Sequence, residues 1–157
     1  MSVDTSAPGQ PAVTITAANL KVVNGLGATA SVNGVGNVIV GYDEARMAPL
    51  AALCSLGEYT DQTTCTSNGG TWAVSFKSGS HNVVIGHAHA YSRYGGLAAG
   101  YQNVINGEEA SVSGGRGNVA SGYLSSVSGG ENNKASGTQA SISGGLNNVA
   151  SGFDASI

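Results

Sequence analysis

The chain has 157 residues, of which 25 are glycine, 10% are charged and 6% are aromatic, which is length for one domain but thin material for a conventional globular core. The formal net charge is −3 with six lysines plus arginines, so no basic stripe offers itself to nucleic acid, and no run of about 20 apolar residues could cross a bilayer as a helix. The composition would suit a flexible linker, yet the apolar residues recur at fixed positions, which linkers do not show.

Taken in chain order, residues 1–11 carry neither a basic n-region nor an apolar h-region, so no signal peptide is legible. Residues 12–24 (AVTITAANLKVVN) alternate well enough for one or two strands. Within a segment 1–29, these strands are expected to cap a sheet that would otherwise end on an open edge. Asn37-Val-Ile-Val-Gly41 and Asn82-Val-Val-Ile-Gly86 share one pentapeptide pattern. Between them, residues 42–72 read as an inserted loop before Val74-Ser-Phe76 resumes a strand. Cys54 and Cys65 lie in that loop. Either they form a disulfide, stabilising the loop by about 3 kcal/mol and implying an oxidising compartment, or they are two free thiols. After Gly86, residues 87–95 (HAHAYSRYG) read as a second, shorter insertion.

From Gly96 the sequence is a tandem repeat: GLAAGYQNVINGEEA, SVSGGRGNVASGYLS, SVSGGENNKASGTQA, SISGGLNNVASGFDA. Three columns are invariant: Gly100/Gly115/Gly130/Gly145, Asn103/Asn118/Asn133/Asn148 and Gly107/Gly122/Gly137/Gly152. A period of 15 accommodates two short strands and two corners but no helix, so each unit predicts one coil of an all-β solenoid with parallel stacking. Glycine and asparagine mark the corners, and the asparagines are expected to stack as an amide ladder. Alternation directs three columns inward: Ile105/Ala120/Ala135/Ala150, Ala110/Ser125/Ala140/Ala155 and Val112/Val127/Ile142/Ile157. It directs serines outward on one strand, and on the other Val104/Val119/Lys134/Val149 followed by Asn106/Ser121/Ser136/Ser151. Two alanines and a valine per coil bury little apolar area against the cost of ordering fifteen residues. We therefore expect self-association through Val104, Val119 and Val149, with the Lys134 stem lying along the interface.

The run Asn118-Val-Ala120-Ser-Gly122-Tyr-Leu-Ser125-Ser-Val127-Ser-Gly129 resembles the head repeat of YadA-like trimeric autotransporter adhesins. The pattern recurs from Asn103, Asn133 and, in part, Asn148, with half-repeats at Asn37 and Asn82. This resemblance implies a left-handed parallel β-roll over residues 30–157. It also implies a homotrimer at the bacterial cell surface, extracellular, binding host matrix protein, glycan or cell surface without catalysis. The signal peptide, coiled-coil stalk and membrane anchor of that family are not seen in these residues. The repeat breaks off at Ile157, so a fragment is expected.

Both insertions are expected to leave from the corner that carries Glu108-Glu109, Tyr123-Leu124, Thr138-Gln139 and Phe153-Asp154, making one edge of the roll the ligand-facing surface. The residues assigned to that edge are Tyr59, His87, His89, Tyr91, Tyr94, Glu108, Glu109 and Tyr123, with Trp72 as a loop anchor. His87 and His89 are two apart and would share a face in extended chain, but no carboxylate pattern joins them or His81 in a metal site. No nucleophile elbow is present, and successive glutamates at a corner point apart, so no cofactor, metal or catalytic residue is expected. The alternative reading is a structural spacer or tip of a trimeric, phage-like fibre. An acyltransferase β-helix would need 18-residue coils, and an ice-binding face would need Thr-x-Thr arrays.

Overall fold

A computed structural model describes residues 2–4 and 12–157, and the residues 1 and 5–11 of the expected N-terminal cap lie outside this range. The elements in chain order are β1 (Ser2–Asp4), β2 (Ala12–Thr14), β3 (Val38–Val40), β4 (Leu53–Cys54), α1 (Gln62–Ser67), β5 (Trp72–Ala73), β6 (Val83–His87), β7 (Ala90–Tyr91) and β8 (Leu97–Tyr101). They continue with β9 (Val104–Ile105), β10 (Ser111–Val112), β11 (Val119–Ala120), β12 (Ser126–Val127), β13 (Lys134–Ala135), β14 (Ser141–Ile142) and β15 (Val149–Ala150). From β6 on, the strands alternate between two parallel sheets. Sheet one runs β3-β6-β8-β10-β12-β14 and sheet two runs β7-β9-β11-β13-β15.

The chain is a parallel β-solenoid, and its register gives the coil length directly. Ser111 pairs with Ser126 and Ser126 with Ser141, while Val119 pairs with Lys134 and Lys134 with Val149. Every one of these steps is 15 residues. The earlier coils are one residue shorter, since Val83 pairs with Leu97 and Leu97 with Ser111. The difference lies at one corner, where Gly86 and Gly100 stand singly but later coils carry Gly114-Gly115, Gly129-Gly130 and Gly144-Gly145. Gly115 and Gly130 have φ of +79° and +82°. A Cβ on either would also run into the carbonyl of the glycine one rung on, so this corner needs glycine for handed backbone and for space.

The interior is as narrow as the columns imply. Val112, Val127, Ala110, Ala120, Ala135 and Ala140 are all 0% exposed. Alanine, valine and isoleucine fill the space in the later coils, and Tyr91 occupies it at the N-terminal end. The asparagine column is equally buried, with Asn103, Asn118 and Asn133 each 0% exposed. Its bonds differ from an amide-to-amide ladder. Asn118 N–H donates to Asn103 Oδ1 (2.8 Å), Asn133 N–H to Asn118 Oδ1 (2.9 Å) and Asn148 N–H to Asn133 Oδ1 (2.9 Å). The Asn118 Nδ2 group then donates to the Gly114 and Gly130 carbonyls at 3.1 and 3.0 Å. Each side chain thus fastens its own corner and the next rung.

Three sequence expectations are corrected by the register. The strand expected within 12–24 is confined to β2, which pairs antiparallel with β1 rather than with the roll. Positive-φ glycines at 25, 27, 34 and 36 turn the following chain. That loop instead ties to the roll through Asn33 N–H to Ser80 Oγ (3.0 Å) and Asn24 N–H to His81 Nε2 (3.2 Å). Secondly, residues 87–95 are no insertion but part of a regular 14-residue coil, with Ala90 paired to Val104 and Tyr91 to Ile105. Thirdly, the pentapeptides at Asn37 and Asn82 belong to sheet one, where Val38 pairs with Val83. Their glycines stack on Gly100, not on the Gly107 column.

Asn118→Ala removes the acceptor of a buried N–H and both carbonyl donors. It should cost about 2–3 kcal/mol in denaturant unfolding, and a loss below about 0.5 kcal/mol would show that the column carries no such burden.

Candidate functional site

The long insertion is 31 residues in excess of a regular coil, since Val38 and Val83 are partners 45 apart where later partners are 14 apart. It leaves from the glycine corner at Gly41, crosses the outer face of sheet two and reaches the opposite corner. Inside it, β4 and β5 form a two-stranded antiparallel ladder, with Ser55 N–H to Thr71 O at 2.9 Å and Thr71 N–H to Ser55 Oγ at 2.9 Å. The Cys54–Cys65 disulfide joins this ladder to α1 with a Cα separation of 5.7 Å. Asp61 caps α1 by accepting the Thr64 N–H at 2.9 Å. That bond holds its carboxyl below the ordinary value.

Three contacts pin the insertion to the roll. Asn106 Nδ2 donates to Cys54 O at 2.7 Å, and Ser92 Oγ donates to Ser55 O. Leu53 and Val119 pack against a buried cluster of Phe76, Ala90 and Val104. Nearer its start, Arg46 is 6% exposed and donates to the carbonyls of Gln102 (3.1 Å) and Val74 (2.9 Å). Burial pushes this guanidinium down to about 10. The first interior layer is closed by Asp43, which accepts from Lys77 Nζ and, at 2.9 Å, from Tyr91 OH. Lys77 Nζ lies 5.3 Å from the centre of the Tyr91 ring.

The residues assigned from sequence to one ligand-facing edge divide into three places. Tyr94, Glu108, Glu109 and Tyr123 do lie at one corner, joined rung to rung by Glu109 N–H to Tyr94 O (2.9 Å) and Leu124 N–H to Glu108 O (3.0 Å). Tyr94 OH donates to Glu108 Oε2 at 3.2 Å, and Arg93 Nη1 lies 3.7 Å from Glu108 Oε1. Tyr59, on the insertion, reaches the same side of the roll beside Asn106 and Ser121. His87 lies at the opposite corner, stacked on Tyr101 at 5.2 Å and 3.3 Å from Glu44. His89 and Tyr91 are 1% and 2% exposed, so they belong to the interior. The two histidines share no face because the corner turns between them, with Ala88 at φ +56°.

His89 occupies the asparagine column itself. Its Nδ1 accepts the Asn103 N–H at 3.2 Å, and its Nε2 bonds the Ile85 carbonyl at 3.0 Å. The ring is therefore neutral with the proton on Nε2. Desolvation is the main cause holding its pKa below the ordinary value.

The valine row is likewise reassigned by burial. Val104 is fully covered by its own chain, Val119 and Lys134 are half-buried beside the insertion, and Val149 is 59% exposed. Val104 therefore offers nothing to a sister chain. The larger uncovered apolar surface is on sheet one, where Val38, Val40, Val83 and Ile85 point outward at 39%, 58%, 40% and 41% exposure. Leu97 and Ala99 continue this face, and serines replace them from Ser111 on. The insertion's fold over sheet two was missed because Leu53 and Asn106 are distant in sequence and no local pattern links them. Asn106 and Ser121 themselves were legible as outward positions, but not as parts of a cleft.

Because His89 is neutral when folded and takes up a proton near pH 6.5 when unfolded, its contribution is fully present above that pH and is lost as the pH falls below it. The melting temperature should drop between pH 7.5 and pH 5. His89→Asn, which restores the column residue, should flatten that drop, and an unchanged pH profile in the variant would refute the role given to His89. No family model matches the chain, and no curated protein or solved structure matches it either.

Proposed function

We propose that this chain is a head module of a YadA-like trimeric surface adhesin: a left-handed roll, non-catalytic, assembled as a homotrimer outside the bacterial cell. The observation that carries the reading is the bare apolar face of sheet one, set on a solenoid in which the run from Asn118 follows the NxAxGxxSxVxG pattern and its neighbours follow it in part. Exposed apolar surface of this extent on a flat sheet favours association. The small serines that continue the face from Ser111 let neighbouring sheets approach closely. Three copies joined through Val38, Val40, Val83 and Ile85 would leave the insertion and the Tyr94–Tyr123 corner outermost, available to host matrix protein, glycan or cell surface. The Cys54–Cys65 disulfide is in keeping with an extracellular location.

A fibre spacer is the second reading, favoured by the uniformity of the C-terminal coils, whose outward residues on sheet one are only serine. The two part company in adhesion. A head should bind immobilised collagen, laminin or cultured cells above a control protein, whereas a spacer should bind none of them.

Sedimentation should return the mass of three chains at micromolar concentration. Val40→Glu with Ile85→Glu, both at exposed positions, should yield folded monomers by desolvating and opposing charges at that face. A wild-type monomer, or a trimer untouched by the double substitution, would contradict the interface.

A further inference from the structure

Two adjoining hollows of about 290 and 150 Å³ lie between the insertion and the roll, and Ser121 lines both. Glu58 faces Glu108 and Tyr123 across the larger one, while Tyr59 and Trp72 stand near Asn106 in the smaller. Asn106 is 2% and Ser121 6% exposed. The Asn106 Nδ2 group is used on Cys54 O (2.7 Å), but among the described residues neither Asn106 Oδ1 nor Ser121 Oγ has a partner. Buried polar atoms of this kind are uncommon, and each requires an explanation. Here two of them line one cleft rimmed by aromatic rings.

We infer that this cleft is a saccharide-binding site that takes a short, uncharged oligosaccharide, an inference that rests on the proposed surface-binding role and names its ligand class. Asn106 Oδ1 can only accept, whereas Ser121 Oγ can donate or accept. Neighbouring sugar hydroxyls, each able to do both, satisfy such a pair. Tyr59, Trp72 and Tyr123 supply ring faces for the apolar faces of sugar rings, with polar tips left for hydrogen bonding. Ser136 continues the Ser121 row one rung on, at a spacing of about 4.8 Å, and lines the larger hollow. The charges balance: Glu58 and Glu108 stand against Arg93 and Lys134, with Arg93 already 3.7 Å from Glu108. That leaves no surplus cation for an acidic ligand. A peptide strand finds no free ladder here, because Asn106 N–H donates to Ala120 O (3.1 Å) and Ser121 N–H to Ala135 O (2.8 Å).

Trp72 is the only tryptophan of the chain, so its emission reports on the cleft directly. The intact protein is titrated with neutral tetrasaccharides of β-1,4-linked glucose, β-1,4-linked N-acetylglucosamine, α-linked glucose and α-linked mannose, and with a sialylated trisaccharide as the anionic comparison. At least one neutral probe should change Trp72 emission saturably. Ser121→Ala and, on the exposed corner, Tyr123→Ala should each weaken it about tenfold, as loss of one hydrogen bond or ring contact does. Tyr42→Ala, far out in solvent at 94% exposure, should not. A melting curve establishes that each variant is folded. The inference is overturned if no neutral probe titrates Trp72 at about 1 mM, if only the sialylated probe does, or if both cleft variants bind as the wild type. Matrix or cell adhesion that persists with no sugar response would sink the saccharide site alone. Sugar binding by a monomer that adheres to nothing would instead sink the adhesin reading.

Discussion

The roll depends on how it treats the polar backbone at the corner that leads into sheet two. Every coil must turn there with its peptide groups buried, since a narrow stack leaves no water inside to serve them. The column His89, Asn103, Asn118, Asn133, Asn148 answers that need. From Asn103 onward each side chain accepts the N–H of the next column residue, and Asn118 and Asn133 also tie down glycine carbonyls of their own and the following rung. Asparagine suits the position because one short side chain is acceptor and double donor at once. Alanine and valine can then do the remaining interior filling with few atoms.

Thin coils leave two broad outer faces, and the chain deals with them differently. Sheet two is covered from within, by an insertion held on Val104 through Leu53, on Asn106 through Cys54, and on the coil ends through Arg46. Among the described residues nothing comparable covers sheet one, and its outer residues pass from valine, isoleucine and leucine to serine along the stack. That asymmetry is why the proposed self-association uses sheet one rather than the valine row of sheet two. The same insertion that removes Val104 from contention builds the cleft around Ser121, so covering one sheet and forming that cleft are a single structural act.

Most of the regular architecture was legible in the sequence because the repeat imposes it. The invariant glycines and asparagines set the corners, alternation set which alanines and valines face inward, and the spacing of Cys54 and Cys65 suited the bond they form. The phase of the first coils was not legible. Asn-x-aliphatic-x-Gly describes a corner followed by a strand in either sheet, so Asn37–Gly41 and Asn82–Gly86 fitted the wrong one by half a coil. His89 hid a regular coil because its ring does the work of an asparagine without looking like one, and Tyr91 hid an interior position because the first layer is wide enough to hold a ring. Neither the path of the insertion nor the cleft it makes has a local signature, since both arise from contacts between residues some fifty positions apart.

Amide hydrogen exchange on the intact protein measures the column most directly. The backbone amides of Asn118, Asn133 and Asn148, although placed at turns, should exchange only through global unfolding, and Asn118→Ala should release protection in the rungs on either side of it. Rapid exchange of those three amides in the wild-type protein, at the rate of exposed corner residues such as Tyr123 or Thr138, would mean that the side-chain column does not hold the coils together.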